Sequence, residues 1–587
     1  MKNKINLLII ILFLLATLVS GYWMYDLYTN NQLWGDLPLY FYFSTWMLFV
    51  FLTKRRLPCA NNNCKWLIYS TVAGVLLALG FPNSPLTPLM FVGFIPLLIV
   101  EDELVKAGEG KWTLFKYSYH TFMIWNILTT YWVGNSALAA GTFAIMANSL
   151  LMSIPILFYS QIKKVFKSKF DAVAFIVFWI SFEKIHQNWE LSWPWLTLGN
   201  SFAKYPSWVQ WYEYLGTFGG SLWILLANFI GYKILQKYQK EKNWDKIALI
   251  KWSTLIIVPI LISLGMYYNY TPIGAEKNIV VVQPNYEPHY KKFTVSEREK
   301  VAHFLELSQK YTDENTDFLI YPETSFGNIK TNDLAANTPI RHLKKFVEKY
   351  PKLNLITGVS AYRTFEKGEE YPKRTGRDRK NGGHWESYNG MVHINNSDKI
   401  DFYKKNKFVP GVEIFPYSDF LFFFKFIVKN LGGSAAGLGG QEERSIFNSP
   451  EGRVAPAICY ESIYGEYMAE FVRNGAQALI VSTNDGWWDD TPGHIQHLEF
   501  ASLRAIETRK DVIRSANSGI SAFVNQRGDI LQRTSYNEAI SIKGVALFND
   551  RITFFTKWGD LIVRISYLLS IILIVVGIRE YFLGDNP

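Results

Sequence analysis

Over its first 270 residues the chain alternates long apolar runs with short polar breaks, and then it changes character. Apolar stretches at 5–25, 37–53, 66–82, 88–101, 118–136, 142–160, 171–187, 218–236 and 252–270, with one more at 561–578, predict membrane-crossing helices, because about 17–25 apolar residues span a bilayer. Between them, 277–555 carries shorter runs rich in β-branched and aromatic residues. These fall at 278–283, 317–322, 354–359, 387–395, 454–459, 478–483, 512–516, 521–525 and 545–548. Helical periodicity separates some of them, at 296–312, 339–350, 464–474 and 493–510. Strands interleaved with helices predict a layered α/β sheet domain rather than an all-β barrel. The chain therefore divides into two leading transmembrane helices (1–55), a core set of transmembrane helices (56–275), an α/β domain (276–556) and a last transmembrane helix (557–587).

Charge then orients these segments. With the N-terminus inside, the inner segments and loops ahead of residue 277 hold eighteen Lys and Arg, whereas the outer loops there hold only Lys204. Basic residues favour the cytoplasmic side, so nine crossings leave 277–555 outside and the tenth returns the C-terminus. The net charge of +10 is thus a topology signal and does not point to nucleic acid. The first run, after Met1-Lys2-Asn3-Lys4, also resembles a signal peptide; it lacks a clear small-x-small cleavage site, so retention is expected. Aromatic residues make up 16% of the chain. They gather at 186–218, with Trp189, Trp193, Trp195, Trp208, Trp211 and Tyr212, as an interfacial belt would. The same rings could form a floor over which lipid chains reach the outer domain.

Three cysteines are present. Cys59 and Cys64 fall in an inner loop, where thiols stay reduced, and two cysteines alone rarely make a zinc site. Cys459 is the sole cysteine of the outer domain, so it has no intrachain partner there, and a free thiol in an oxidising compartment calls for a reason.

Groups beyond strand ends are the usual reactive groups of such sheets, and four polar residues fit that rule. Glu323 follows Phe318-Leu-Ile-Tyr-Pro322. Lys405 lies in Phe402-Tyr-Lys-Lys-Asn-Lys-Phe-Val-Pro410, with Glu413 just after. Cys459 closes Val454-Ala-Pro-Ala-Ile-Cys459, and Tyr460 and Glu461 follow it.

Glu, Lys and Cys in this order, each after a strand, resemble the nitrilase (carbon–nitrogen hydrolase) superfamily. Ser482-Thr-Asn-Asp-Gly-Trp-Trp488, Gln496-His497, Leu503-Arg-Ala-Ile-Glu-Thr508 and Arg514-Ser-Ala-Asn-Ser-Gly-Ile-Ser521 look like its apolipoprotein N-acyltransferase branch. In the membrane part, Leu198-Gly-Asn200 and Tyr214-Leu-Gly-Thr-Phe-Gly-Gly-Ser-Leu-Trp223 fit the same branch. The resemblance runs from about residue 65 to the C-terminus, and the two leading spans are additional to the family's usual eight.

The resemblance implies a multi-span helical membrane domain plus an extracytoplasmic nitrilase-type αββα sandwich, in the bacterial inner membrane. It implies a Glu323–Lys405–Cys459 triad in which the base Glu323 activates the thiol and the Lys405 ammonium lowers its pKa and stabilises an oxyanion. Lys404 and Lys407 compete for the lysine role, and the spacing to Val409-Pro410 and Glu413 selects Lys405. Glu413 matches the family's second glutamate, although the family's Pro-Phe-Gly-Glu reads Pro410-Gly-Val-Glu413 here. Tyr460, Glu461 and Asn389 match supporting positions. The implied partners are a membrane phospholipid as acyl donor and a diacylglyceryl apolipoprotein as acceptor, acting on a monomer without cofactor or metal. His494 and His497, three apart near Asp489 and Asp490, lack a third zinc ligand and read as structural. The apolar run 420–426 and the glycine-rich 432–440 suggest a lid over the lipid path. A membrane-tethered amidase using the same triad with water is the alternative enzyme. A lipid transporter or scaffold would carry more intramembrane charge.

Overall fold

A computed structural model describes residues 2–53, 63–82, 84–372, 375–377, 383–414, 416–417 and 437–583. Most of the expected lid, together with Cys59 and the basic run at 54–56, lies outside the described residues.

The apolar runs of the sequence fall largely on helix. The first two form Lys2–Thr29 and Leu37–Thr53, a hairpin clasped by a Thr17 Oγ1 to Ser44 Oγ bond of 3.0 Å. Asn63–Gly80, Lys111–Thr130, Leu138–Val165, Asp171–Asn188, Tyr212–Glu241, Lys246–Asn269 and Leu561–Leu583 account for the others except one. The run 88–101 is not one helix: a 3₁₀ turn, Thr87–Phe91, precedes the helix Ile95–Lys106. Pro88 and Pro96 each stand second in their element, in the first turn, where the missing N–H is not needed. By length and composition, five of the described helices suffice to cross a membrane, and Leu37–Thr53 and Cys64–Gly80 are shorter apolar helices.

The outer domain is two sheets packed face to face. The first holds β1 (Ala275–Gln283), β2 (Phe318–Ile320), β3 (Phe326–Lys330), β4 (Asn354–Phe365), β5 (Gly376–Arg377), β6 (His384–Ile394), β7 (Asp401–Lys404) and, from the far end of the chain, β14 (Ile540–Phe548). The second runs β8 (Phe447–Ser449), β9 (Gly452–Ile458), β10 (Ala478–Thr483), β11 (Val512–Ala516), β12 (Ala522–Val524) and β13 (Ile530–Arg533) in that order. Successive side chains of a strand point to opposite faces, and β1 displays the consequence. Ile279 and Val281 join the core shared with Val454, Ala457 and Ile480 of the second sheet, while Val280 and Val282 pack with Phe304 and Leu343 of the covering helices Glu297–Gln309 and Thr338–Val347. Gly465–Arg473 and Pro492–Thr508 cover the second sheet. The result is the expected αββα sandwich.

Buried polar ties join this sandwich to the helices. Lys184 donates to Glu466 at 2.5 Å and Asp560 at 2.6 Å. Trp195 donates to Gln496 at 2.5 Å. Arg509, fully buried, donates to Glu213 and to Gln210 Oε1, each at 2.7 Å. Removing one member of a buried ion pair costs about 3–5 kcal/mol. Arg509→Met is therefore expected to lower the thermal unfolding midpoint in detergent clearly below wild type, and an unchanged midpoint would refute a structural role for this tie.

Candidate active site

Three strand ends meet where the two sheets face each other. Cys459 leaves β9 with φ at +48°, a left-handed conformation that costs a non-glycine residue roughly 1–2 kcal/mol. Its carbonyl is held by Ser462 Oγ at 2.8 Å and lies 3.2 Å from His497 Nε2. Glu323 stands three residues past β2, and Lys405 is the first residue past β7. Lys405 Nζ donates to Glu413 Oε1 at 2.8 Å and to Glu323 Oε1 at 3.2 Å. Asn389, on β6, donates from Nδ2 to the same two oxygens, at 2.7 Å to Glu323 and 3.0 Å to Glu413. Among the described residues both bonds to the Glu323 carboxylate fall on Oε1, which leaves Oε2 to take a proton. Asn389 Oδ1, also buried, has no hydrogen-bond partner among them.

Lys405 is the lysine of the cluster. Lys404 points to the other side, over the Tyr388 ring at 4.1 Å, and Lys407 donates to the Gln187 carbonyl at 3.1 Å. The altered Pro410-Gly-Val-Glu413 loop still delivers its glutamate: Gly411 turns with φ at +82°, and Glu413 Oε2 accepts from Val409 N at 2.9 Å. Glu461 plays a different part, accepting from Ile458 N at 2.9 Å, Asn406 N at 2.8 Å and Tyr467 at 2.5 Å. It thereby pins the backbone before Cys459 to the backbone after Lys405. Tyr460 reaches down to the Ser192 carbonyl at 2.8 Å, within the aromatic segment of the membrane part. There Trp132 packs at a tilt against Trp195 and Trp488 at 4.6 and 4.7 Å, so Trp195, one of the rings of the expected belt, is fully buried beside an outer-domain ring.

Burial and then the Glu323 carboxylate push the Cys459 thiol above its ordinary pKa, while the Lys405 ammonium opposes them. Lys405 itself is held above the usual lysine range, because the Glu323 and Glu413 carboxylates outweigh the burial that pulls it down. Burial thus favours the neutral thiol, while the two carboxylates favour the charged ammonium beside it. Lys405→Met should move the pH profile of Cys459 alkylation by a small reagent to higher pH, since it removes a charge that favours the thiolate. A profile at the wild-type position would contradict this electrostatic assignment.

Two features escaped the sequence. Lys292 is buried beneath Glu323, donating to its carbonyl at 3.0 Å and to Thr324 Oγ1 at 2.7 Å, with burial lowering its pKa to about 7. A lysine in an irregular segment gives no signal of burial. The other is the setting of His497, whose Nδ1 lies 2.9 Å from Asp485, itself paired with Arg514. Cys459, Asp485 and His497 bring possible ligand atoms within 4.8 Å of one another. The Arg514 guanidinium and His497 already occupy the carboxylate, so the group is an internal brace and not an open metal site. His494 stands apart, stacked on Tyr536 at 4.7 Å.

Fold and site together define an enzyme of the carbon–nitrogen hydrolase class built onto a membrane helix bundle. Residues 278–547 match the model of the carbon–nitrogen hydrolase family, and residues 73–230 match that of the apolipoprotein N-acyltransferase N-terminal domain. The apolipoprotein N-acyltransferase of Chlorobaculum tepidum is 26% identical over 529 residues, covering 87% of this chain and 96% of that protein. That of Bdellovibrio bacteriovorus is 30% identical over 384 residues, covering 61% and 65% respectively. A similar solved structure, Saccharomyces cerevisiae Nit3 of the nitrilase superfamily, is 15% identical with a TM-score of 0.35, covering 50% of this chain and 97% of that one. The chain thus carries an apolipoprotein N-acyltransferase N-terminal domain followed by a carbon–nitrogen hydrolase domain, and relatives that match it over most of its length are apolipoprotein N-acyltransferases.

Proposed function

We propose that the protein moves a fatty acyl chain from a membrane glycerophospholipid to the α-amine of a diacylglyceryl-cysteine lipoprotein, through a thioester on Cys459. The observation that carries this reading is a buried thiol, flanked by a carboxylate and an ammonium, directly above the membrane helices through the Tyr460–Ser192 bond. In the first half-reaction Cys459 Sγ attacks the ester carbonyl while Glu323 takes the thiol proton. Lys405 donates to the oxyanion. As the tetrahedral intermediate collapses, Glu323 passes the proton to the departing lysophospholipid hydroxyl. In the second, the amine attacks the thioester carbonyl and gives its proton to Glu323, and the thiolate leaves and is reprotonated. Asn389 Oδ1, without a hydrogen-bond partner among the described residues, is suited to accept an N–H of the incoming amine.

Intact-protein mass spectrometry of wild-type protein incubated with phospholipid and no amine tests the reading. A fatty-acyl mass should build up on Cys459 and disappear on adding hydroxylamine or a lipopeptide amine. Continuous hydrolysis without adduct would point to an amidase-like enzyme, and absence of any acyl mass across a range of phospholipids would end the acyl-transfer reading. The loop charges support an outer-domain position on the periplasmic side of the inner membrane. A thiol introduced by Ala335→Cys, on the exposed surface of that domain, should react with a membrane-impermeant reagent in intact spheroplasts. Reaction only after lysis would reverse the orientation.

A further inference from the structure

The match to the family's membrane-domain model begins at residue 73, which leaves the N-terminal hairpin outside it. Yet the hairpin is seated on the rest of the protein by directional bonds. Tyr42 donates to the Leu138 carbonyl at 3.0 Å and Trp46 to His120 at 3.0 Å. Its tip reaches the outer domain: Gly35 N donates to Asp489 Oδ2 at 2.8 Å, and Asn135 bridges the Gly35 carbonyl at 3.0 Å and the Trp488 carbonyl at 3.1 Å. Tyr131 donates to Asp36 beside it. Asp489 adopts φ 59° and ψ −171°, a region that is essentially glycine-only and costs about 1–3 kcal/mol. The tip thus bonds to a strained outer-domain residue.

Between the hairpin and the helix Leu138–Val165 lies a cavity of about 1320 Å³, larger than the roughly 300–1,000 Å³ of ordinary small-molecule pockets. Its membrane-level wall is apolar: Phe41 faces it from the hairpin, and Phe143, Met146 and Leu150 from the helix. These three helix residues are 58%, 49% and 45% exposed, so the cavity is lined by side chains that would contact bilayer hydrocarbon. At its outer end stand polar groups, His289 and Asp489. Leu191 also lines it, next to Ser192, whose carbonyl holds Tyr460 beside Cys459.

We infer that the hairpin and the helix Leu138–Val165 are the two walls of a groove that holds the acyl chains of a bilayer lipid, with the headgroup end at His289 and Asp489. An apolar space open to bilayer hydrocarbon offers water no hydrogen-bond partners, and lipid chains are the apolar species that surround it. The apolar body and polar outer end match an amphiphile oriented as it is in the leaflet. The inference rests on the proposed function only for what the lipid is used for; the groove binds lipid whether or not Cys459 is acylated.

Full-length protein in nanodiscs containing phosphatidylglycerol with a diazirine near each acyl terminus provides the test. After irradiation and digestion, adducts are expected on Phe41, Phe143 and Met146, equally in wild type and Cys459→Ala. Leu8, exposed on the hairpin's outer side, reports ordinary contact with bulk lipid. Ala139→Trp, which fills the groove from an exposed position on its wall, should abolish the adducts on Phe41 and Met146 and leave that on Leu8. Ala147→Trp, one step deeper, should do the same. Groove adducts that persist in both variants, or labelling of Leu8 without labelling of the groove, would overturn the inference. Groove labelling without acyl mass on Cys459 would instead sink the acyl-transfer reading and leave the groove standing.

Discussion

Cys459→Ala should bring acyl transfer down to background while leaving the protein folded and the lipid bound. Loss of a covalent nucleophile has cost on the order of 10⁶ in kcat in another enzyme, and in the proposed scheme both half-reactions run through one sulfur. The substitution removes only a small, 8%-exposed atom group. It leaves the Lys405 bonds to Glu323 and Glu413 intact, so stability should change little. The measurement pairs transfer to a lipopeptide with the thermal unfolding midpoint. Residual transfer above background, in folded protein, would mean that the acyl group does not travel through this residue.

Glu323→Gln is the second large effect, and it separates two roles of the carboxylate. A positioned general base contributes typically 10²–10⁴-fold, about 3–5 kcal/mol of barrier at 1.36 kcal/mol per decade. The glutamine keeps the shape, and its Oε1 can still accept from Lys405 and Asn389, but it cannot carry a proton between thiol, leaving group and amine. Acylation measured by mass spectrometry should fall by about that factor. The charge effect runs the other way. Because the Glu323 carboxylate raises the Cys459 thiol pKa, its removal should shift the alkylation profile to lower pH, opposite to the shift expected for Lys405→Met. Slower acylation together with easier alkylation would identify Glu323 as a proton carrier. If both reactions slowed together, its role would be structural.

Much of this was readable from the residues, for physical reasons that differ by region. The apolar helices were legible because hydrocarbon demands unbroken apolar length, and five of those described are long and apolar enough to cross a membrane; the run around Val92 misled, where two prolines divide what hydropathy joins, and 118–136 divides between Lys111–Thr130 and Val133–Ser136. The central strands β10 and β11 were legible as buried apolar runs. β7, β8 and β13 were not, because short edge strands carry polar residues and take their order from the neighbour they pair with. Glu323 and Cys459 stood out because each follows a legible strand, whereas Lys405 was singled out by its spacing to Val409-Pro410 and Glu413. Lys292 and the Asp485–Arg514 brace were not, since a buried charge declares itself only through the partners the fold brings to it. The Pro410-Gly-Val-Glu413 loop teaches the same lesson in reverse: its sequence departs from the family pattern, yet Glu413 reaches Lys405 at 2.8 Å.

The antiparallel pairing of the domain's first and last strands, with Ala275 opposite Phe548, has an evolutionary consequence. The chain enters the domain from one membrane helix and leaves toward another at almost the same point, and the hydrolase family match, 278–547, begins and ends within that strand pair. A module whose ends adjoin can be inserted between two existing helices without stretching either, and such insertions are tolerated for that reason. The arrangement is what would remain if a freestanding catalytic sandwich had been spliced into an older bundle ahead of its last helix. The ties through Lys184 and Arg509 would then be later fastenings, acquired once the two halves had come to share one substrate.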